Sequence, residues 1–199
     1  TDTSPVVRVP WNDAATIMKA LDMGAMTVIV PMVSTAADAA RAVAACRYPP
    51  AGIRSSGPTR AVHYAGADYL ARADGEVMVF AMIETKEGLD NLDAICATPG
   101  LDAIYIGPSD LSLALGCNPI FDDLDPKAAE AVDHILARAK AHGVVAGIHN
   151  GTPESALKRI AKGFQFVTVS SDARLMAAGA QQIISKMHAS KTATSSGTY

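Results

Sequence analysis

Cysteine, positive charge and long apolar runs are all scarce in this sequence, and each scarcity excludes a class of protein. The three cysteines, at positions 46, 96 and 117, lie far apart, so they suit neither a disulfide framework nor a zinc site. The net charge is −3, with no basic cluster, which argues against a nucleic-acid partner. No apolar run approaches the roughly 20 residues of a membrane span. We expect a cytoplasmic protein with neither nucleic-acid nor membrane partners.

Several catalytic signatures are also missing. No Gly-x-Gly-x-x-Gly and no Walker loop follows a strand pattern, which disfavours the nucleotide-binding folds. The sequence has no Gly-x-Ser-x-Gly elbow and no paired-histidine zinc motif, which disfavours serine and zinc hydrolases. No lysine lies at a predicted strand end, so a Schiff-base aldolase is also disfavoured.

Apolar residues are plentiful, and they recur in short strand-like runs between helical patterns. They make up 49% of the 199 residues, enough for one domain with a large core. The patterns predict strands at residues 5–9, 27–31, 77–83, 103–106, 144–148 and 165–170. They predict helices at residues 12–23, 35–46, 86–97, 126–142, 152–162 and 172–187, with a short helix at 111–115.

This alternation predicts an α/β fold with a parallel sheet, either doubly wound or closed into a barrel. The sequence supplies about six β/α units, whereas a TIM (β/α)8 barrel has eight. We therefore expect a TIM barrel that lacks its first two β/α units in this chain. Residues 1–190 would form this single partial domain, and residues 191–199 a flexible C-terminal tail.

Two carboxylates follow adjacent predicted strands. Glu84 follows the third strand, and Asp110 follows the fourth after a Gly-Pro-Ser turn. Parallel strands end at one edge, so the two carboxylates would lie close and repel unless a proton or cation lies between them. An all-oxygen pair suits Mg²⁺ or Mn²⁺. The alternative is that each carboxylate only caps the helix that follows it.

Three further features point to the same edge. Gly107 permits close backbone approach, and the amides of Ser109 and Asp110 could hold a small carboxylate at a helix start. Arg8 lies inside an apolar run, where a buried charge needs a partner; it could stabilise an oxyanion or enolate, or form a structural ion pair. His149 ends a predicted strand and is a candidate base or substrate contact.

Arg54 lies in a loop bounded by glycines. That loop could cover an active site or form a rigid part of the surface.

Five segments together resemble one enzyme family. The chain resembles the class II, metal-dependent pyruvate aldolases of the 4-hydroxy-2-oxoheptane-1,7-dioate and 2-dehydro-3-deoxyglucarate aldolase type. The motifs that carry this resemblance are Val7-Arg8-Val9-Pro10-Trp11-Asn12-Asp13, Val30-Pro31-Met32-Val33, Arg47-Tyr48-Pro49-Pro50-Ala51-Gly52-Ile53-Arg54, Ile83-Glu84-Thr85-Lys86-Glu87-Gly88 and Ile106-Gly107-Pro108-Ser109-Asp110-Leu111-Ser112.

The resemblance implies a TIM barrel with a divalent metal, Mg²⁺, Mn²⁺ or Co²⁺, in a homo-oligomer, a hexamer or trimer whose last helix is swapped between barrels. It implies that Glu84 and Asp110 bind the metal and that Arg8 contacts the keto oxygen of pyruvate. The backbone of Gly107, Ser109 and Asp110 would bind the substrate carboxylate. The reaction would cleave or form 4-hydroxy-2-oxo acids from a 2-oxo acid and an aldehyde, through a pyruvate enolate.

Two departures from the family pattern stand out. The family's catalytic histidine, in a Gly-Glu-His-type motif, has no counterpart and would precede Thr1. Family members often carry glutamine two residues before the metal-binding glutamate, where this chain has Met82, and this bears on substrate preference.

Other functions stay open at this point. A coenzyme-A-linked malyl or citryl lyase and an oxaloacetate decarboxylase are enzymatic alternatives, and a barrel that only binds a small acid is a non-catalytic one.

Overall fold

The computed structural model describes residues 3–195, with side chains through residue 188. One parallel sheet holds six strands in the order in which they occur along the chain. The strands are β1 (Val6–Arg8), β2 (Thr27–Val30), β3 (Met78–Ile83), β4 (Ala103–Ile106), β5 (Val145–Asn150) and β6 (Phe166–Val169). The helices are α1 (Ala14–Asp22), α2 (Ala36–Cys46), α3 (Arg60–Ala65), α4 (Tyr69–Glu76), α5 (Lys86–Asp90), α6 (Leu92–Cys96), α7 (Pro108–Ala114), α8 (Pro126–His142), α9 (Pro153–Lys162) and α10 (Asp172–Ser195).

The sheet curls into a half-barrel, which confirms the predicted parallel α/β class. Its outer face packs against the helices in the main core, where Ile104, Ile106 and Ile148 are fully buried. A smaller cluster on the inner face includes Phe80, Met82 and Tyr105. The expectation of two further β/α units before Thr1 stays a prediction.

Three helical predictions differ from the structure. The single helix expected at residues 86–97 is broken at Asn91, whose side-chain amide donates to the carbonyl of Ser34 at 2.9 Å. Helices α3 and α4 were not predicted. Helix α10 continues to Ser195 and so includes the start of the expected tail, and residues 196–199 lie outside the described part of the chain.

Strand β1 was expected to be a buried parallel strand, and this is wrong. All three of its residues are exposed, because β1 lies at the edge of the sheet and pairs only with β2 in the part of the chain that is described. Charge at Arg8 therefore needs no buried partner.

The strand register determines which residues meet at the carboxyl edge of the sheet. Ile83, Ile106 and Ile148 lie side by side on β3, β4 and β5. Glu84, Gly107 and His149 come directly after them. None of the described helices is long and apolar enough to cross a membrane.

Candidate active site

A cavity of about 590 Å³ opens at the carboxyl edge of the sheet. The sheet and the loops after its strands bring to it every side chain and backbone segment that the sequence singled out as a candidate site, apart from Arg54. The predicted residues that line it are Arg8, Glu84, Gly107, Ser109, Asp110 and His149.

Glu84 is the most buried charged group of this cavity, with 4% of its surface exposed. Its Oε1 accepts a hydrogen bond from the backbone N–H of Met32 at 2.8 Å. Burial raises the pKa of Glu84, and the nearby charge of Asp110 raises it further against the opposing effects of the Met32 amide and Arg8. The site therefore holds a buried carboxyl group, Glu84, whose ionised form is disfavoured by burial and by the neighbouring Asp110.

Neither carboxylate serves as a helix cap, so the capping alternative is wrong for both. Thr85 caps α5, and its hydroxyl accepts the N–H of Gly88 at 2.9 Å. Helix α7 begins at Pro108 after Gly107, so Asp110 lies within its first turn rather than before it. Both carboxylates are thus available to the cavity.

Gly107 leaves space that a side chain would fill. A Cβ added at this position would lie 2.6 Å from Oε2 of Glu84 and 2.5 Å from Cε of Met82. Such distances are far inside van der Waals contact, so the close packing of Glu84 and Met82 depends on glycine here. Met82 itself lines the cavity and is 8% exposed.

Arg8 lies at the mouth of the cavity rather than in the core. Its side chain lines the cavity, and within the described residues it makes no ion pair, so the structural ion-pair alternative is not observed. No hydrogen bond engages its guanidinium within the part of the chain that the structure describes, so its donors are available to a ligand in the cavity.

The donor set suits a hard divalent cation. Among the side chains through residue 188, no cluster of three or more His, Cys, Asp or Glu could hold a metal. Two carboxylates alone match Mg²⁺-type sites, where waters and substrate oxygens complete the coordination. The Oε2 of Glu84 faces the space left by Gly107, and the mutual repulsion of the carboxylates favours a cation beside them.

Strands β4, β5 and β6 add a polar wall to the same cavity. The Oγ1 of Thr168 lies 2.8 Å from Nδ1 of His149 and 2.6 Å from the hydroxyl of Tyr105. The ring of Phe121 meets the His149 ring edge-on, with centroids 4.9 Å apart. Of these residues, only His149 was predicted as a site residue. The spacing of Phe166 and Thr168 two positions apart on β6, which places both side chains on one face of the strand, was the one available sequence signal for Thr168.

Arg54 does not line the cavity, so its interpretation as an active-site cover is wrong. It is fully buried, and its guanidinium donates to Oδ1 of Asp22 at 2.8 Å and to the hydroxyl of Tyr69 at 3.0 Å. Burial alone would lower the pKa of Arg54, but these two bonds, together with the electrostatic effects of Tyr69 and Tyr48, raise it. The residue ties α1 to the segment of α3 and α4.

Comparison with protein families gives a match over most of the chain. The family model described as HpcH/HpaI aldolase/citrate lyase matches residues 1–178. A hydroxypyruvate/pyruvate aldolase of Rhizorhabdus wittichii is 42% identical over 93% of this chain and 74% of that protein. A 5-keto-4-deoxy-D-glucarate aldolase of Salmonella arizonae is 40% identical over 91% of this chain and 71% of that protein.

Solved structures agree. A HpcH/HpaI aldolase/citrate lyase family protein from Burkholderia cenocepacia superimposes with a TM-score of 0.85 at 34% identity. The match covers 93% of this chain and 74% of that one.

Proposed function

The chain belongs to the HpcH/HpaI aldolase/citrate lyase family and is an aldolase, a carbon–carbon lyase; on that premise we propose that it cleaves or forms 4-hydroxy-2-oxo acids through the enolate of pyruvate or a close 2-oxo acid. The substrates are then a small 2-oxo acid and an aldehyde. The relatives named above for pyruvate and for a keto-deoxy sugar acid support this substrate class. The alternative of a non-catalytic binder is thereby set aside.

One observation carries the proposal: Glu84 and Asp110 line one cavity with Arg8, and neither carboxylate is used by a helix cap. In this proposal Glu84 and Asp110 hold Mg²⁺, Mn²⁺ or Co²⁺, which when bound supplies Lewis-acid polarisation of the 2-oxo acid. Arg8 places a fixed positive charge beside the keto oxygen, where negative charge develops as the enolate forms.

The backbone around Gly107 completes the proposed substrate contacts. The amides of Ser109 and Asp110 lie in the first turn of α7 and bind the substrate carboxylate, and the absence of a side chain at Gly107 lets Glu84 pack against the backbone that leads into this turn. Arg8, Gly107, Ser109 and Asp110 therefore bind and orient the 2-oxo acid.

The test is proton–deuterium exchange at the methyl group of pyruvate, followed by NMR with and without Mn²⁺. It is measured in this chain and in a version extended upstream, because the family resemblance expects a catalytic histidine before Thr1. Metal-dependent exchange in either chain is the expected result. No exchange in both contradicts the enolate chemistry and favours a coenzyme-A-linked lyase.

We also propose that the protein forms a homo-oligomer, a hexamer or trimer. Helix α10 exposes Leu175, Met176 and Ile183 by more than 60% each, an apolar surface that association would cover. Light scattering coupled to size-exclusion chromatography measures the assembly directly, and a monomeric mass contradicts it.

A further inference from the structure

The cavity contains a hydrogen-bonded chain that the proposed chemistry does not use. Tyr105 on β4, Thr168 on β6 and His149 on β5 all line it. The chain runs from the Tyr105 hydroxyl through Oγ1 of Thr168, 2.6 Å away, to Nδ1 of His149, a further 2.8 Å. His149 and Thr168 are register partners on adjacent strands.

Gly147 makes this chain possible. Tyr105, Gly147 and Phe166 occupy one row across β4, β5 and β6. A Cβ added at Gly147 would lie 3.0 Å from Cδ2 of Tyr105 and 3.0 Å from Cδ1 of Phe166. The missing side chain lets the Tyr105 ring lean across β5, so its hydroxyl reaches Thr168 on a strand that is not its neighbour.

The direction of the hydrogen bonds follows from the available donors. Burial raises the pKa of Tyr105, so its hydroxyl stays protonated, and Thr168 is its only hydrogen-bond partner among the described residues. Tyr105 therefore donates to Thr168, whose own hydrogen is then free for Nδ1 of His149. The reverse direction would leave the Tyr105 hydrogen without an acceptor among the described residues, which is less favourable.

This direction determines the tautomer of His149. Burial and then the charge of Arg174 lower the pKa of His149, so the ring is neutral near pH 7. A neutral imidazole that accepts at Nδ1 carries its hydrogen on Nε2. Phe121 holds the ring from one side, and Arg174 stacks over Phe121 at 4.5 Å. The result is a fixed N–H donor beside the apolar rings of Phe121 and Phe166, which line the same cavity.

We propose that His149, held as its Nε2–H tautomer by Thr168 and Tyr105, donates a hydrogen bond to a hydroxyl oxygen of the acceptor aldehyde and so selects hydroxylated over alkyl aldehydes. This inference rests on the proposed aldol function. His149 is then a specificity-determining residue, while Thr168 and Tyr105 are positioning residues. A wall without this donor would favour an alkyl chain, because the surrounding Phe121 and Phe166 are apolar.

The first test reads the tautomer and needs no turnover. Nitrogen-15 NMR of histidine-labelled protein is expected to show His149 as the Nε2–H form, with exposed His134 as a reference. Tyr105→Phe removes the donor to Thr168 and is expected to give a mixture of tautomers. An Nδ1–H form in the unaltered protein would overturn the inference.

The second test compares two aldehydes of similar size, glycolaldehyde and propanal, in aldol addition of pyruvate by the chain that shows methyl exchange. His149→Leu is expected to lower the ratio of their kcat/KM values about tenfold, the typical value of one hydrogen bond. His149→Gln, which keeps an N–H donor, restores most of it. Thr168→Val gives an intermediate loss, and His134→Gln leaves the ratio unchanged.

Exchange at the pyruvate methyl group separates this inference from the proposed function. Normal exchange in His149→Leu with a lowered aldehyde ratio supports the acceptor role. Normal exchange with an unchanged ratio overturns the role of His149 and leaves the aldolase chemistry intact. Absence of exchange in the unaltered protein overturns the proposed function, and the acceptor role fails with it.

Discussion

Two regions of this molecule bury charge, and they do so in opposite ways. Around Arg54, opposite charges are matched: its guanidinium meets Asp22 at 2.8 Å and lies over the Tyr48 ring at 4.7 Å. Around Glu84, like charges meet, since Asp110 raises the pKa of Glu84 and Arg8 only partly opposes it. The charge of Arg54 is paired within the protein, whereas the Glu84 cluster is complementary to a cation that has to be supplied.

This difference distinguishes residues that stabilise the fold from residues that serve activity. A matched buried pair holds the fold together, and removing one partner leaves the other charge uncompensated. A pair of like charges lowers stability and is retained where it binds a ligand. The two clusters should therefore respond in opposite ways to neutral substitutions.

The largest expected effect is on activity. Glu84→Gln keeps an acceptor for the Met32 amide but removes the charge, so metal-dependent methyl exchange should fall more than about a hundredfold. Its free energy of unfolding should stay equal or rise, because a repulsion is removed. Urea titration and NMR exchange measure the two quantities, with exposed Glu87→Gln as the control. A near-normal exchange rate would rule out Glu84 as a ligand.

The corresponding variant in the matched pair is Arg54→Met. It leaves Asp22 without its partner and should lower the free energy of unfolding by about 3–5 kcal/mol, while the rate per folded molecule stays unchanged. Arg41→Met is the matched control, since the Arg41 side chain is 64% exposed and its surface pair with Asp38 contributes less than about 1 kcal/mol. Equal losses in the two variants would contradict the comparison.

Among the described residues, Arg8 is the cationic side chain that lines the cavity with the two carboxylates. Arg8→Lys retains the charge but loses the planar fork of donors, so turnover should fall about tenfold to a hundredfold. Affinity for Mn²⁺, measured by calorimetry, should change far less. If metal affinity falls as much as turnover, Arg8 acts on the metal site rather than on the substrate.

The smallest effect concerns Cys46, which ends α2 near the Arg54 cluster. Burial raises the pKa of its thiol to about 12, so almost no thiolate exists at pH 8 and alkylation should be slow. Loss of the Arg54 charge alone would raise this pKa further. Faster alkylation of Cys46 in Arg54→Met therefore cannot come from the pKa and would show local opening of the cluster. The measurement is mass spectrometry, with alkylation of Cys117 as the reference. Unchanged protection of Cys46 would show that the cluster stays closed.

The sequence predicts the carboxylate side of the cavity better than its polar wall. Glu84 and the Gly107 turn directly follow apolar runs, and parallel strands bring such ends to one edge, so their meeting could be predicted from local patterns. Tyr105 and Thr168 lie on strands separated by β5, and their contact depends on the missing side chain at Gly147. No local pattern encodes a contact of that kind.

Burial was the weakest part of the predictions. The Val-Val-Arg-Val run of β1 has the composition of an interior strand, yet exposure depends on which strands flank it, and that is a property of the sheet. Arg54 shows the reverse error. A loop arginine between glycines suggests an active-site cover or a rigid part of the surface, but Asp22 and Tyr69, from other elements, enclose it in the interior.

The turn after β2 holds a strained backbone residue. Met32 has a left-handed backbone with φ of 55°, which costs a non-glycine residue about 1–2 kcal/mol, and only its backbone N–H is needed by Glu84. Stability alone would favour glycine there. Its side chain is 42% exposed and lines the cavity. Met32→Gly should therefore relieve the backbone strain and widen the cavity while it keeps the N–H that Glu84 accepts, so a change inside the site would stabilise the fold.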